Sequence, residues 1–212
     1  MAREVYVAQD LAEAAIAIFL DKQPRTVILP GGRTPQPFLE RLAQEKYDWP
    51  ALDVFLSDER CVPPDHADSN YRMVHEALLS KVRARAHRMR GEACAAEPYE
   101  FEMRSVFGGG VPDFDIAFLG MGADGHTASL FPGDPALEER ERLVVNVKRP
   151  DHERLTLTLP VLSGAKLAVF LVAGAEKREA MKAVVAGEDL PATRVAAREV
   201  VFLTDPLAAP LG

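Results

Sequence analysis

Hydrophobic positions along the chain fall into two alternating kinds of segment. Short, nearly continuous apolar runs occupy residues 5–7, 26–29 (TVIL), 52–56 (LDVFL), 114–119 (FDIAFL), 167–172 (LAVFLV) and 200–204. Their length and their β-branched and aromatic content predict strands covered on both faces. Between them lie segments rich in helix formers: 11–20 (LAEAAIAIFL) with Asp10 as N-cap, a helix that has Pro35 in its first turn and runs to about residue 45, then 70–79 and 176–186. Residues 143–147 and 154–159, the second alternating as RLTLTL, predict two more strands. The stretch 81–112 is the least regular. KVRARAHRMRGE holds a short strand, ACAAEPYEFEMRSVF a helix interrupted near Pro98, and Gly108–Gly110 a loop. Strands alternating with helices predict an α/β fold with a mainly parallel sheet, in a single domain over residues 1–212.

In open sheets of this kind ligands bind at the carboxyl ends of the strands. The loops after Leu29, Leu56, Leu119 and Val172 therefore come first in a search for chemistry. After Leu29, the segment Pro30-Gly31-Gly32-Arg33-Thr34-Pro35 joins a strand to a helix. Its glycines allow close backbone approach to an anion, Thr34 adds a hydroxyl and Arg33 a charge. A tight turn that merely caps a helix accounts for the same residues. After Leu56 comes Ser57-Asp58-Glu59-Arg60, two acids suited to sugar hydroxyls beside an arginine suited to an oxyanion, or else a solvated charge cluster.

After Leu119 comes Gly120-Met121-Gly122-Ala123-Asp124-Gly125-His126. It contains G-x-G-x-x-G, but Pro132-Gly133 ends any helix within two turns and Val145 stands where a ribose-binding acid is needed, so a dinucleotide site is disfavoured. His126 is the strongest candidate base in the chain, with Asp124 near enough to orient it. The alternative is a capping histidine. Arg154 and Lys177 each read alone as solvent-facing charges. Yet Lys177 lies in the first turn of a predicted helix, where a cation is unfavourable unless an anion meets it.

Composition narrows the field. The 212 residues carry a formal net charge of −7, which excludes a global attraction for nucleic acid or an anionic membrane and leaves room only for a local basic pocket. No apolar run approaches the ~20 residues needed to cross a bilayer, and MAREVYVAQD has no signal-peptide core, so cytoplasmic residence is expected. Cys61 and Cys94 are too few for a disulfide framework and are expected as free thiols in a reducing compartment. His66, His75, His87 and His152 lack metal-ligand spacing and are expected to be surface or packing residues.

Taken together, GGRTPQPFLERL, LSDERCVPPDHADSNYRM, FDIAFLGMGADGHTASLFPG, RLTLTLPVL, LVAGAEKREA and LPATRV resemble the 6-phosphogluconolactonase family, in the family's order and over most of the chain. The resemblance implies a Rossmann-like three-layer α/β/α fold. It implies hydrolysis of 6-phospho-D-glucono-1,5-lactone in the oxidative pentose phosphate pathway, without metal or organic cofactor. The partner implied is the small-molecule sugar phosphate lactone; oligomeric state is left open. By resemblance, Gly31, Gly32 and Thr34 bind phosphate with Arg154 and Lys177, Arg60 faces the reacting carbonyl, and His126 is the general base. One departure is Arg33, where the family usually has serine. The continuation HTASLFPG separates the chain from the related deaminases.

Overall fold

Each apolar run becomes a strand in the computed structural model, which describes residues 3–210. β1 (Arg3–Val7) leads into α1 (Leu11–Lys22), whose N-cap is the expected Asp10, accepting from the Glu13 N–H at 2.9 Å. β2 (Thr26–Leu29) precedes α2 (Gln36–Leu42), where Pro35 holds the N-cap and two tight turns carry the chain on to Glu45. β3 (Asp53–Leu56) and β4 (Asp58–Arg60) are separated only by Ser57. α3 (Asn70–Val74) continues as a wider π-helical stretch to Leu79. β5 (Arg85–His87), α4 (Glu97–Phe107) and β6 (Ile116–Gly120) complete the middle of the chain. Then come β7 (Val144–Lys148), β8 (Glu153–Leu157), α5 (Leu159–Ser163), β9 (Leu167–Val172), α6 (Arg178–Ala186), α7 (Pro191–Arg194) and β10 (Glu199–Thr204).

Seven described strands form one wholly parallel sheet in the order β1-β10-β9-β6-β2-β3-β5. The period of two along each strand divides the core into two layers. Val27, Leu29, Val54, Leu56 and Phe118 pack with Phe19 of α1 and Phe38 of α2 on one face. Ile28, Phe55, Ala117, Leu119 and Phe170 pack with Tyr99 and Met103 of α4 and Met181 of α6 on the other. This is the expected three-layer α/β/α arrangement. Strand order reverses direction between β2 and β6: the chain moves outward from β2 through β3 to β5, and from β6 through β9 to β10. A crevice opens at such a switch point.

A second, antiparallel sheet of order β4-β8-β7 covers the end of the first. Ser57 is the joint between the two sheets. Its N–H donates to the Leu29 carbonyl of the large sheet, and its carbonyl accepts from Leu157 of the small one. The periodicity read Asp58–Arg60 as the start of a polar loop. Three residues are too few to show a pattern, and only the β8 partner makes them a strand. Pro98 does not interrupt a helix but stands in the first turn of α4, where its missing N–H costs nothing. No described helix is long and apolar enough to cross a membrane.

The expectation of two free thiols is overturned: Cys61 and Cys94 form a disulfide, with Cα atoms 5.0 Å apart. A sequence separation of 33 gave no hint of it. The contact arises because the turn at Arg90–Cys94 presses against the end of β4. It presses so closely that a Cβ on Gly91 would lie 2.2 Å from the Arg60 carbonyl oxygen. The oxidised protein is therefore expected to titrate no thiol until it is reduced. In the chain-entropy model, a loop of this size stabilises by between about 3 and 4.7 kcal/mol. Cys61→Ser/Cys94→Ser is expected to lower the urea midpoint accordingly, checked by equilibrium unfolding.

Candidate active site

Three loops that leave the carboxyl ends of β2, β3 and β6 meet at the switch point and enclose a cleft of about 200 Å³. The pieces are Pro30–Pro35, Ser57–Arg60 and Gly120–Ala128, joined by Arg154 of β8 and Lys177 ahead of α6. The residues singled out from sequence line it, except Glu59, which is buried beside it, and Asp124, which stands directly behind His126.

Two buried carboxylates hold the cleft in shape, Asp58 in its lining and Glu59 outside it. Asp58, 6% exposed, accepts from the Ser57 hydroxyl on one oxygen and from the Ser129 hydroxyl on the other, both at 2.8 Å. The Ser129 N–H in turn donates to the Thr156 hydroxyl of β8. Asp58 was expected to meet sugar hydroxyls. It lines the cleft, but its oxygens are already engaged, and it ties the β6 loop to the small sheet. Glu59, 1% exposed, accepts from the backbone N–H groups of Arg60, Asn70 and Tyr71 and from the Ser69 hydroxyl, at 2.7–3.0 Å. Burial pushes its carboxyl above the usual range, and the four donors pull it back without cancelling that effect.

Asn70 was not singled out from the sequence. It is buried, its amide donates to the Asp58 carbonyl at 2.9 Å, and it lines the cleft. The Gly31 backbone passes directly over it: a Cβ at Gly31 would lie 1.8 Å from Asn70 Oδ1. Glycine is required there by contact. At Gly32 the space is open and the requirement is a φ of +94°. A polar residue at a helix start is ordinary, so nothing local marks Asn70; its role lies in its contacts with Gly31 and Asp58.

The cations form a wall. Arg60 and Arg154 are direct partners across the β4–β8 ladder, and like charges so placed repel. Each has a buried Nε with no hydrogen-bond partner. Their outer nitrogens are held apart, Arg60 by the Asp68 carbonyl at 2.7 Å and Arg154 by the Asp151 carboxylate at 2.5 Å. Lys177, half-buried in a 3-10 turn (Ala175–Lys177), and the exposed Arg33 make no ion pair among the described residues. Four cations, two with a free buried donor, face one cleft, and an anion between them relieves the repulsion.

His126 faces this wall. Its Nδ1 lies 2.6 Å from Asp124 Oδ1, and the same oxygen accepts from the His126 N–H at 3.1 Å. Burial alone raises the Asp124 carboxyl. The hydrogen bonds from the backbone and ring of His126 outweigh this and hold Asp124 below the usual carboxylate range. With Nδ1 held by a carboxylate, the neutral ring keeps its proton there and offers Nε2 as a base. Gly122 makes the pair possible: a Cβ there would lie 2.0 Å from Nδ1 and 2.5 Å from Asp124 Oδ1.

Residues 121–133 hold turns and no helix, so the phosphate-binding helix start of a dinucleotide site is missing. His87 stacks on Phe55 between Asp53 and Glu102, His66 and His152 flank Asp68, and His75 contacts Tyr71. None of the four lines the cleft. Among the described residues no cluster of His, Cys, Asp or Glu is arranged to hold a metal.

Fold and cleft together define a Rossmann-like α/β/α protein with a cation-lined cleft at its switch point. Residues 2–203 match the family model described as glucosamine-6-phosphate isomerases/6-phosphogluconolactonase. A 6-phosphogluconolactonase from Synechocystis sp. is 43% identical over 78% of this chain and 73% of its own length. One from Pseudomonas putida is 39% identical over 95% and 85%. The crystal structure of 6-phosphogluconolactonase from Thermotoga maritima superposes with a TM-score of 0.87 at 32% identity, over 96% of this chain and all of that one. The chain belongs to the glucosamine-6-phosphate isomerase/6-phosphogluconolactonase family.

Gly122→Ala is expected to displace the His126 ring. The low-field Nδ1 proton resonance of a carboxylate-bonded imidazole, expected in the wild type, should vanish, and catalytic turnover should fall about a hundredfold. A proton spectrum and steady-state kinetics check both.

Proposed function

We propose that the chain hydrolyses 6-phospho-D-glucono-1,5-lactone to 6-phosphogluconate, in the oxidative pentose phosphate pathway, by general-base activation of water. The observation that carries this reading is one cleft in which the His126–Asp124 pair faces Arg60, Arg154 and Lys177. Arg60 and Arg154 each keep an unpartnered buried donor there. Family membership supports the same reaction. The cleft draws on residues from Pro30 to Lys177, and the chain is proposed to act as a single domain. The proposal includes no metal or organic cofactor, since base-assisted opening of an ester needs neither. Its compartment is proposed to be the cytoplasm.

In this reading the phosphate sits among Gly31, Gly32, Thr34, Arg154 and Lys177, with Arg33 at the rim. Remote binding energy thereby becomes orientation of the lactone carbonyl. His126 Nε2 takes a proton from water as the water oxygen attacks C1, and Asp124 stabilises the imidazolium. Arg60 faces the developing oxyanion. Collapse breaks the bond from C1 to the ring oxygen, and His126 returns its proton to that oxygen. The acid formed then ionises, so each turnover releases one proton. Asp58 and Asn70 hold the loops that carry these groups.

Proton release from freshly made 6-phosphogluconolactone in weak buffer tests the reading. Release well above the spontaneous rate, and absent with unphosphorylated gluconolactone, is the expected result. Release equal to background from folded protein overturns it, and ammonia from glucosamine 6-phosphate would then favour a deaminase. His126→Ala is expected to lower kcat by at least about a hundredfold with little change in phosphate binding. Lys177→Ala is expected chiefly to raise KM, as initial-rate kinetics would show.

A further inference from the structure

The segment that follows the base folds back on itself. Thr127 and Leu130 form an isolated antiparallel bridge around the two-residue turn Ala128–Ser129, with Ala128 at a φ of +49°. The turn is pinned by Ser129 to Asp58 and Thr156. The residues just outside the bridge are His126 and Phe131, and cross-strand neighbours of this kind are brought side by side. Their rings accordingly meet, with centroids 4.5 Å apart and planes tilted by 35°. Phe131 is 7% exposed. The same ring lies 5.6 Å from the guanidinium carbon of Arg154 and 4.0 Å from that of Arg149, an exposed residue at the β7–β8 turn.

We propose that Phe131 is a positioning residue that sets, with one ring, the orientation of both the base His126 and the phosphate-binding Arg154. This rests on the roles assigned above to those two residues. Asp124 fixes only one edge of the imidazole, and rotation about that contact stays open until a flat surface closes it. Arg154 is likewise held at one outer nitrogen by Asp151, and an aromatic face orients the guanidinium plane without taking any of its N–H donors. That leaves the unpartnered Arg154 Nε for a ligand. Arg149 covers the ring and keeps it in place. Base and anion site are thereby coupled through an apolar side chain that does no chemistry itself.

The test is a split of kinetic constants. Phe131→Leu, which removes the flat ring, is expected to lower kcat about tenfold or more through misplacement of the base. It is also expected to raise KM severalfold for the phosphorylated lactone. Phe131→Tyr is expected to restore most of both. A purely structural ring would lower the melting temperature yet leave kcat and KM of the folded protein unchanged, and that result overturns the proposal. If Phe131→Leu does not fold, the wild type decides: a nuclear Overhauser contact between the His126 and Phe131 ring protons is expected, and its absence overturns the proposal. Failure of the lactonase reading looks different, because the wild type itself then shows no turnover above background.

Discussion

The cleft depends on how two adjacent carboxylates are buried where the chain passes from one sheet to the other. A buried carboxylate is costly unless donors surround it, and Asp58 and Glu59 are both surrounded, but by different parts of the chain. Asp58 gathers Ser57 and Ser129, and through Ser129 it secures the β6 loop to β8. Glu59 gathers the backbone of Arg60, Asn70 and Tyr71. The alternation of a strand sends the two acids to opposite sides, so three residues of β4 fix loops on both. Arg60, next along, starts from a backbone that has little freedom left.

Rigidity of this kind is what allows the cations to crowd together. The chain as a whole is acidic, with a net charge of −7, yet Arg60 and Arg154 face each other across a ladder. Such a pair persists only where surrounding structure imposes it. The global charge governs long-range attraction and the local geometry governs binding, and here the two have opposite sign. The disulfide from Cys61 to Cys94 adds a covalent brace one residue beyond Arg60. Such bonds are uncommon in reducing compartments, and nothing in the acidic composition marked this one.

Much of the candidate site was legible because its residues sit in loops that follow strands. Apolar runs marked the strands, and the glycines and charged residues after Leu29, Leu56 and Leu119 stood out against them. The glycines were read as a group, whereas their reasons differ. Gly32 answers to backbone conformation, Gly31 to the approach of Asn70, and Gly122 to that of His126 and Asp124. Asn70 itself was missed, since its significance lies in contacts with residues far away in sequence. Phe131 likewise carries no mark in the sequence, because its neighbours Arg149 and Arg154 come from a hairpin that no periodicity ties to it.

The sequence by itself determined the layered α/β architecture, the parallel strands and the loops that carry chemistry. These follow from local periodicity and from turn residues whose effect reaches only a few positions. The strand order that sets β2 beside β6, the pairing of Arg60 with Arg154 and the closure of Cys61 on Cys94 were decided by the tertiary structure alone. Each joins residues distant along the chain. Their proximity is fixed by packing two helical layers on one sheet, and no local pattern encodes which distant segments that packing brings into contact.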